Sequence, residues 1–273
     1  ALRCGVDAVL ELPACCALAS AEGFAAGAVR CLNRLGGVDY LSFGSEAGEL
    51  APLCEAAGAL LRPEFGDLLR EELAGGSPFP AARMRAAMRL APGLDPAVWT
   101  LPNNVLAIEY LKALRVSGSR IKPHTVARRG AGHDAAAADG DIQSASRCRE
   151  LILAGRDCSP YLPGPAADIL RRETDAGRAP VSIAAMERAV LAALRRLPSA
   201  AFRAYPDVGE GLENRIAQAL RSENSLQGVY DAVKSKRYTH ARIRRILLRA
   251  YLGLPASACA PEYIRLLGLR KEA

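Results

Sequence analysis

Segments with strand-like and helix-like patterns alternate through the first half of the chain, and this alternation limits the fold more than any other feature. Strand-forming residues predict strands at 6–13, 38–43 and 119–128. Between them, 20–35 and 102–114 carry apolar residues at helical spacing. Strands that alternate with helices are typical of an α/β fold with a parallel sheet, whose ligands lie beyond the carboxyl ends of the strands. Gly44, which follows the second strand, is expected at that edge.

The pattern changes after about residue 180, where the strand signals stop. Helices are predicted at 182–197, 211–222, 225–236 and 239–253. The segment 159–168 contains the proline and glycine residues that are typical of a boundary. We therefore expect an α/β domain over residues 1–165 and an all-helical domain over residues 166–273.

The spacing of cysteine and histidine argues against a structural metal site. The eight cysteines include no C-x-x-C pair, and the three histidines include no H-x-x-x-H pair. Buried thiols in a reducing cytoplasm are the simpler interpretation. No apolar run reaches the roughly 20 residues that a membrane-spanning helix needs. We expect a cytoplasmic protein with no membrane partner and no protein-bound metal.

One segment carries the whole excess of positive charge. The formal net charge is +7, and residues 232–261 contain seven Lys or Arg residues and no Asp or Glu. Arg242, Arg245 and Arg249 follow one line along the last predicted helix, beside a separate apolar stripe. A row of cations without acids suits the backbone of a nucleic acid. The alternative is a solvated helix face, although such faces usually mix both signs of charge.

The start of a helix predicted at 142–157 could hold an anion. Ser144 and Ser146 open this helix, and the free N–H groups and dipole of a helix start attract negative charge. Arg149 lies about one turn further on and could contact a phosphate. The alternative is an ordinary N-cap beside a solvated arginine.

Two residue pairs could face the same ligand. Asn103 and Asn104 follow Pro102 at the start of a predicted helix. One of them is expected to cap the helix, and the other has an amide that can bind a base or ribose edge. Arg128 and Arg129 end the third predicted strand before a glycine-rich loop, where they could neutralise a phosphate or be solvated charges.

Several of these stretches belong to a series of motifs that runs through nearly the whole chain. In order they are GVDAVLELP, SAEGFAAGAVRCLNRLG, LSFGSE, SPFPAAR, PNNVLAIEYLKAL, IQSASRCR, EGLENRI and KSKRYTHARIRRILL. With this series the chain resembles the bacterial tRNA(Met) cytidine acetate ligases, members of the nucleotidyltransferase superfamily. The resemblance implies a parallel-sheet, Rossmann-like nucleotidyltransferase domain followed by a helical tRNA-binding domain.

The resemblance also implies a reaction. ATP would activate acetate as acetyl-adenylate with release of pyrophosphate, and the acetyl group would pass to N4 of the wobble cytidine of elongator tRNA(Met). ATP is then a substrate, which Mg²⁺ could accompany, and acetate and tRNA are the other partners. The positions that match ATP contacts are Gly44, Asn103, Arg128, Arg129, Ser144, Ser146 and Arg149. The positions expected to bind tRNA are Lys234, Lys236, Arg237, Arg242, Arg245 and Arg249.

The chain departs from the family at its N-terminus. The family's first strand and its H-x-G-H motif, which contacts the phosphates, are absent from the sequence. The α/β domain is therefore expected to be incomplete, no catalytic residue is assigned, and the chain taken alone is expected to be a weak or inactive catalyst. Two other functions stay open: a small-molecule adenylyltransferase of the same superfamily, against which the basic segment argues, and a non-catalytic RNA-binding protein.

Overall fold

Separate stretches of the chain come together in two compact units. The computed structural model describes residues 1–128, 143–209, 211–258 and 263–270. Unit 1 consists of Ala1–Glu11, Arg128–Met186 and Ile264–Ala273, and unit 2 consists of Leu12–Ala127 and Glu187–Tyr263. The predicted domains 1–165 and 166–273 divide the chain differently and stay a prediction.

Helices account for most of the regular structure in the described residues. They are α1 Ala14–Ala17, α2 Ala21–Leu35, α3 Leu50–Leu60, α4 Phe65–Ala74, α5 Phe79–Leu90, α6 Pro96–Thr100, α7 Pro102–Val116, α8 Ala145–Leu153, α9 Gly164–Asp175, α10 Glu187–Arg195, α11 Leu212–Ser222, α12 Leu226–Val233 and α13 His240–Leu252. The strands are β1 Ala8–Leu10, β2 Tyr40–Ser45, β3 Lys122–Ala127 and β4 Leu266–Leu269. The fold is α/β, as the alternating pattern predicts.

The predicted parallel sheet is found in unit 2 as the pair β2 and β3. These strands run in parallel, with Tyr40 opposite Lys122 at one end and Ser45 opposite Ala127 at the other. The predictions of strands at 38–43 and 119–128 are therefore confirmed. Because the strands are parallel, their carboxyl ends lie at the same edge, and Gly44 is opposite Val126 near that edge.

Helix α7 anchors this part of unit 2. It packs against α2, α3 and β2. Ile108 and Leu111 lie in a core cluster with Leu53, and Leu114 lies in a second cluster with Val29. These contacts use the apolar residues that recur at helical spacing along α7. They fix its first turn next to the carboxyl ends of the strands.

The other part of unit 2 is a helical core built by α10 to α13. The predicted helices at 182–197, 211–222, 225–236 and 239–253 are confirmed there. Their buried side chains, which include Leu194, Ile216, Leu220 and Ile243, form one cluster with Phe202 from the segment between α10 and α11. The apolar stripe of α13 faces this cluster, so its polar residues lie on the remaining faces of the helix.

Unit 1 contains a sheet that the alternating pattern does not predict. The strand predicted at 6–13 is present as β1, but it pairs antiparallel with β4, with Ala8 opposite Leu269. The pair is a two-stranded sheet of its own, so β1 lies outside the parallel pair. The expectation that strands stop after residue 180 is wrong because of β4. This strand has four residues and is mostly exposed, so it carries no alternating pattern to detect.

Candidate functional site

Glu46 connects the end of β2 to the start of α7. Its Oε1 accepts hydrogen bonds from the backbone N–H of Asn103 (3.3 Å) and from its side-chain Nδ2 (2.6 Å). Its Oε2 accepts the backbone N–H of Asn104 (2.8 Å). The residue at the N-cap position of α7, Leu101, provides no side-chain cap. Glu46 therefore caps α7 from outside the helix, and its negative charge complements the positive end of the helix dipole.

These hydrogen bonds keep the Glu46 carboxylate ionised. Burial alone would raise its pKa, but the bonds from the Asn103 side chain and from the N–H groups of Asn104 and Asn103 lower the pKa below its ordinary value of 4.5. A carboxylate therefore already occupies the N-terminus of α7. A phosphate at this edge must be bound by other groups.

The two asparagines at the start of α7 have different roles. The prediction that one of them is the N-cap is wrong, because both lie inside the first turn. Asn104 is 1% exposed, its Oδ1 accepts the N–H of Ala47 (2.9 Å), and its Nδ2 donates to the carbonyl of Ala97 (3.3 Å). Both the oxygen and the nitrogen of the Asn104 amide are therefore hydrogen-bonded within the protein. Asn103 is only half-buried and is the better candidate for a ligand contact.

The residues around Gly44 form a tightly held loop. Ser45 is buried, and its hydroxyl contacts that of Thr125 (2.7 Å) and accepts the N–H of Gly48 (3.0 Å). Gly48 has a φ of 69°, and a Cβ there would come within 2.9 Å of the Ala127 Cβ. Gly44 itself is exposed and lies within the strand ladder. The loop thus presents an open strand end with no side chain at Gly44.

Arg128 directly follows β3. The preceding residue, Ala127, is opposite Ser45, and the Arg128 residue is exposed. Arg129 lies outside the described residues, so its predicted contact with a phosphate stays a prediction. An exposed arginine next to the last residue of a parallel strand is suited to an anionic ligand.

The predicted anion site at the start of α8 belongs to unit 1. The Ser144 hydroxyl accepts the N–H of Arg147 (3.1 Å), which confirms Ser144 as the N-cap. The Arg149 guanidinium donates to the Ser146 hydroxyl (3.1 Å). Ser144, Ser146 and Arg149 therefore lie together at the start of α8 within unit 1. Within unit 2, Glu46, two residues after Gly44, bonds to Asn103.

The basic segment, residues 234–249, differs from its sequence pattern in how its charges are placed. Lys234, Lys236 and Arg237 are exposed. Asp207, from a distant part of the sequence, contacts two further cations. Arg242 donates to the Asp207 carbonyl oxygen (2.6 and 3.0 Å), and Arg245 pairs with its carboxylate (3.2 Å). The surface formed by the acid-free segment therefore includes acids from outside it, namely Asp207 and also Asp231, which pairs with His240 (2.9 Å).

Two arginines of the basic segment depart from the predicted set. Arg249 is 2% exposed, and its guanidinium donates to the carbonyl oxygens of Cys15 (2.6 Å), Leu254 (3.2 Å) and Pro255 (3.2 Å). An arginine buried in this way holds chain segments together, so its prediction as a tRNA contact does not fit the structure. Arg244 was outside the predicted line, yet it is exposed and lies 5.2 Å above the ring of Tyr230.

Unit 2 contains a cavity of about 610 Å³ that no pattern in the sequence predicts. Glu109 lies in its wall, where it pairs with Arg83 and with Lys112 (2.9 Å), and Lys112 also pairs with Glu22 (3.0 Å). The charges come from α2, α5 and α7, which are far apart in sequence. Only the tertiary packing shows that they form one network.

Neither a metal-binding cluster nor a membrane-spanning helix is found in the part of the chain that the structure describes. Its His, Cys, Asp and Glu side chains form no group of three that could hold a metal ion. Across the described ranges, no helix combines the length and hydrophobicity that crossing a bilayer requires.

Comparisons with known proteins connect this geometry to a family. A family model described as HIGH Nucleotidyl Transferase matches residues 1–273. The tRNA(Met) cytidine acetate ligase of Acetivibrio thermocellus is 37% identical over 289 residues, which cover 100% of this chain and 70% of that protein. The protein of the same name from Syntrophotalea carbinolica is 40% identical over 283 residues, covering 98% and 66% of the two chains.

Solved structures show the same similarity. The crystal structure of Thermotoga maritima TmcAL without ligand superimposes with a TM-score of 0.91 at 34% identity, covering 99% of this chain and 68% of that one. A second structure of Thermotoga maritima TmcAL, bound with alpha-thio ATP, gives a TM-score of 0.89 at 33% identity, covering 99% and 67%. The chain thus spans about two thirds of the length of the proteins it matches.

Proposed function

Because the chain belongs to the HIGH nucleotidyl transferase family and, within it, to the tRNA(Met) cytidine acetate ligases, we propose that it takes part in ATP-dependent acetylation of N4 of the wobble cytidine in elongator tRNA(Met). The observation that carries the proposal is the edge at the carboxyl ends of β2 and β3. There Glu46, two residues after the exposed Gly44, accepts a hydrogen bond from the side chain of the half-buried Asn103. This is where ligands of parallel sheets bind.

The reaction has two steps with different needs. In the first, an acetate oxygen attacks the α-phosphorus of ATP, and pyrophosphate leaves. In the second, N4 of the cytidine attacks the acetyl carbonyl carbon, the bond to AMP breaks, and N4 loses a proton. Both steps depend on positioning. The first step also needs negative charge stabilised around the α-phosphorus, and the second needs it stabilised on the acetyl carbonyl oxygen and on the departing AMP. Any Mg²⁺ would enter with the ATP.

We assign the nucleotide contacts from the positions of the side chains. The exposed strand end at Gly44 leaves space for the nucleotide against the backbone. Asn103 would hydrogen-bond the nucleotide, and Arg128 would neutralise phosphate, since the α7 N-terminus is already occupied by Glu46. Arg129 would add to this charge. Within unit 1, the start of α8 with Ser144, Ser146 and Arg149 stays a proposed phosphate site considered by itself.

The tRNA would lie on the exposed cations of the basic segment. Lys234, Lys236 and Arg237 are exposed, and Arg242 and Arg245 are half-buried beside them. Arg244 adds an exposed guanidinium, and Arg249 is left out because it is buried. Contacts of this kind are to phosphate and make binding sensitive to salt. The free state of the seven described cysteines fits a reducing cytoplasm, where tRNA and ATP are found.

The experiment that tests the proposal separates the two steps. Acetate-dependent exchange between ATP and pyrophosphate measures adenylation without tRNA, and N4-acetylcytidine in elongator tRNA(Met) measures transfer. We expect Asn103→Ala to raise the KM for ATP by about tenfold, which corresponds to one lost hydrogen bond to a charged or polar ligand. The matched control is Asn214→Ala, an exposed asparagine on α11, which should change neither measurement.

Two outcomes would contradict the proposal. The first is exchange with ATP that does not depend on acetate, which would favour a small-molecule adenylyltransferase. The second is binding of tRNA without any exchange, measured with the H-x-G-H segment of a relative joined ahead of residue 1, because the chain alone is expected to be a weak or inactive catalyst. That result would favour a non-catalytic RNA-binding protein.

A further inference from the structure

The cavity of about 610 Å³ in unit 2 has the size of a small-molecule site. Its wall follows one side of the junction between α6 and α7 and includes Trp99, Thr100, Val105 and Glu109. Asn103, the proposed nucleotide contact, lies within the same junction. The residues that line the cavity are therefore close in sequence to the proposed nucleotide contact, but the two sites use different side chains.

Trp99 supplies a donor that has no partner within the described part of the protein. The residue is 5% exposed, and its Nε1 is buried without a hydrogen-bond acceptor. Buried polar groups are almost always paired, so an unpaired indole N–H in a cavity wall needs an explanation. An acceptor on a bound ligand would provide it. Arg83 and Glu109, which pair with each other in the same wall, add a donor and an acceptor in fixed positions.

Phe79 and Asp207 join this cavity to the basic segment. Both residues line the large cavity, and both also line a second cavity of about 300 Å³. The walls of the second cavity include Arg237, Tyr238 and Arg242, which belong to the basic segment. Phe79 is 51% exposed where the two cavities meet. An RNA whose backbone is held by the basic segment could thus place one nucleotide past Phe79 in the large cavity.

We propose that the large cavity receives the cytosine that is acetylated, turned out of the anticodon loop, while the smaller cavity holds its phosphate backbone. The inference rests on the proposed function and names the base-binding part of the same site. A base can enter a pocket only when it is unstacked, and aromatic side chains commonly receive its face. Phe79 is positioned for this contact.

The chemistry of cytosine fits the cavity wall. Its O2 and N3 are acceptors, and its N4 amine is a donor. The buried Trp99 N–H would suit O2 or N3 once the ligand reaches it, and Ser20, Arg83 and Thr100 are further donors among the lining residues. Glu22, Glu109 and Asp207 are the carboxylate acceptors among the lining residues. A uracil, which has a carbonyl in place of the amine, would present an acceptor where the wall offers a carboxylate.

Photocrosslinking tests the inference without depending on catalysis. The probe is an anticodon stem-loop RNA of elongator tRNA(Met) with 5-iodocytidine at the wobble position, irradiated with the protein and analysed by mass spectrometry of the peptides. We expect crosslinks within residues 79–84 or 96–105. Crosslinks found only within 234–245, or none although the RNA is bound, would overturn the inference.

Variants then separate base binding from the proposed function. Phe79→Ala and Trp99→Phe should lower both the crosslink yield and acetyl transfer by about tenfold more than they lower ATP–pyrophosphate exchange. Tyr40→Ala is the control, since this ring is 62% exposed and lies at the opposite end of β2. If exchange and transfer fall equally in both variants, the cavity wall is structural and the inference is wrong. If the protein joined to the H-x-G-H segment of a relative shows no exchange but still gives the expected crosslinks, the proposed function fails while the cavity still binds the base.

Discussion

Replacing Glu46 tests the link between the end of β2 and the start of α7. Glu46→Gln keeps an acceptor oxygen but removes the charge, and a charge at a partly buried helix terminus contributes about 1–2 kcal/mol. Glu46→Ala also removes the three hydrogen bonds to Asn103 and Asn104. We expect a loss of about 2–3 kcal/mol in the free energy of unfolding for Glu46→Ala and of about 1 kcal/mol for Glu46→Gln.

The fluorescence of Trp99 provides the assay. It is the only tryptophan in the sequence and lies in α6, directly before α7. Urea unfolding followed at this residue should show a lower midpoint with an unchanged slope. The matched control is Glu49→Gln, an exposed glutamate that makes no side-chain cap at α3, and its effect should stay within about 0.5 kcal/mol.

The pH dependence gives the reasoning a second test. The pKa of Glu46 is lowered in the folded protein, so its contribution is complete above the ordinary value of 4.5 and is lost as the pH falls through the folded value. The difference in stability between the unaltered protein and Glu46→Gln should therefore be present at pH 7 and shrink below pH 4.5. Equal losses for Glu46→Gln and Glu49→Gln, or a difference that does not depend on pH, would refute the role assigned to the carboxylate.

Three further substitutions probe the basic segment and the loop after β2. Arg249→Met should lower the free energy of unfolding by about 3 kcal/mol, because it leaves the carbonyl oxygens that this arginine binds without a donor. The control is Arg244→Met at an exposed position, which should change the free energy of unfolding by less than about 0.5 kcal/mol; both variants are measured by thermal unfolding. Lys236→Ala should weaken tRNA binding and reduce the slope of log affinity against log salt concentration by about one, while ATP binding stays unchanged. An unchanged slope would mean that this lysine does not contact the tRNA. Gly48→Ala should lower the free energy of unfolding, measured with urea, by about 1–2 kcal/mol, because the φ of Gly48 is 69° and the new Cβ would approach that of Ala127. A stability equal to that of the unaltered protein would mean that the loop adjusts without strain.

Local patterns predicted most of the regular structure. Helices such as α2, α7 and α13 have apolar residues at a period that is visible within a few turns, so their positions follow from the sequence. Their packing then confirmed the period, since Ile108 and Ile243 are fully buried. The position of Gly44 at a strand end followed in the same way from the short apolar run before it.

The environment of single side chains could not be predicted in this way. Arg242, Arg245 and Arg249 share one spacing in the sequence, yet Arg249 is buried against backbone carbonyls and the other two contact Asp207. Spacing along a helix tells which residues share a face, but not what another part of the chain places opposite that face. The role of Glu46 was hidden for the same reason.

What the sequence by itself determined is therefore the main amphipathic helices, the strands at 38–43 and 119–128 and the family to which the chain belongs, because each depends on residues close together or on motifs in a fixed order. Only the tertiary structure decided that β1 pairs with β4, which arginine is buried, and that Trp99 and Phe79 line one cavity. These features arise from contacts between residues far apart in the chain, and the periodicity of a short segment contains no information about its distant partners.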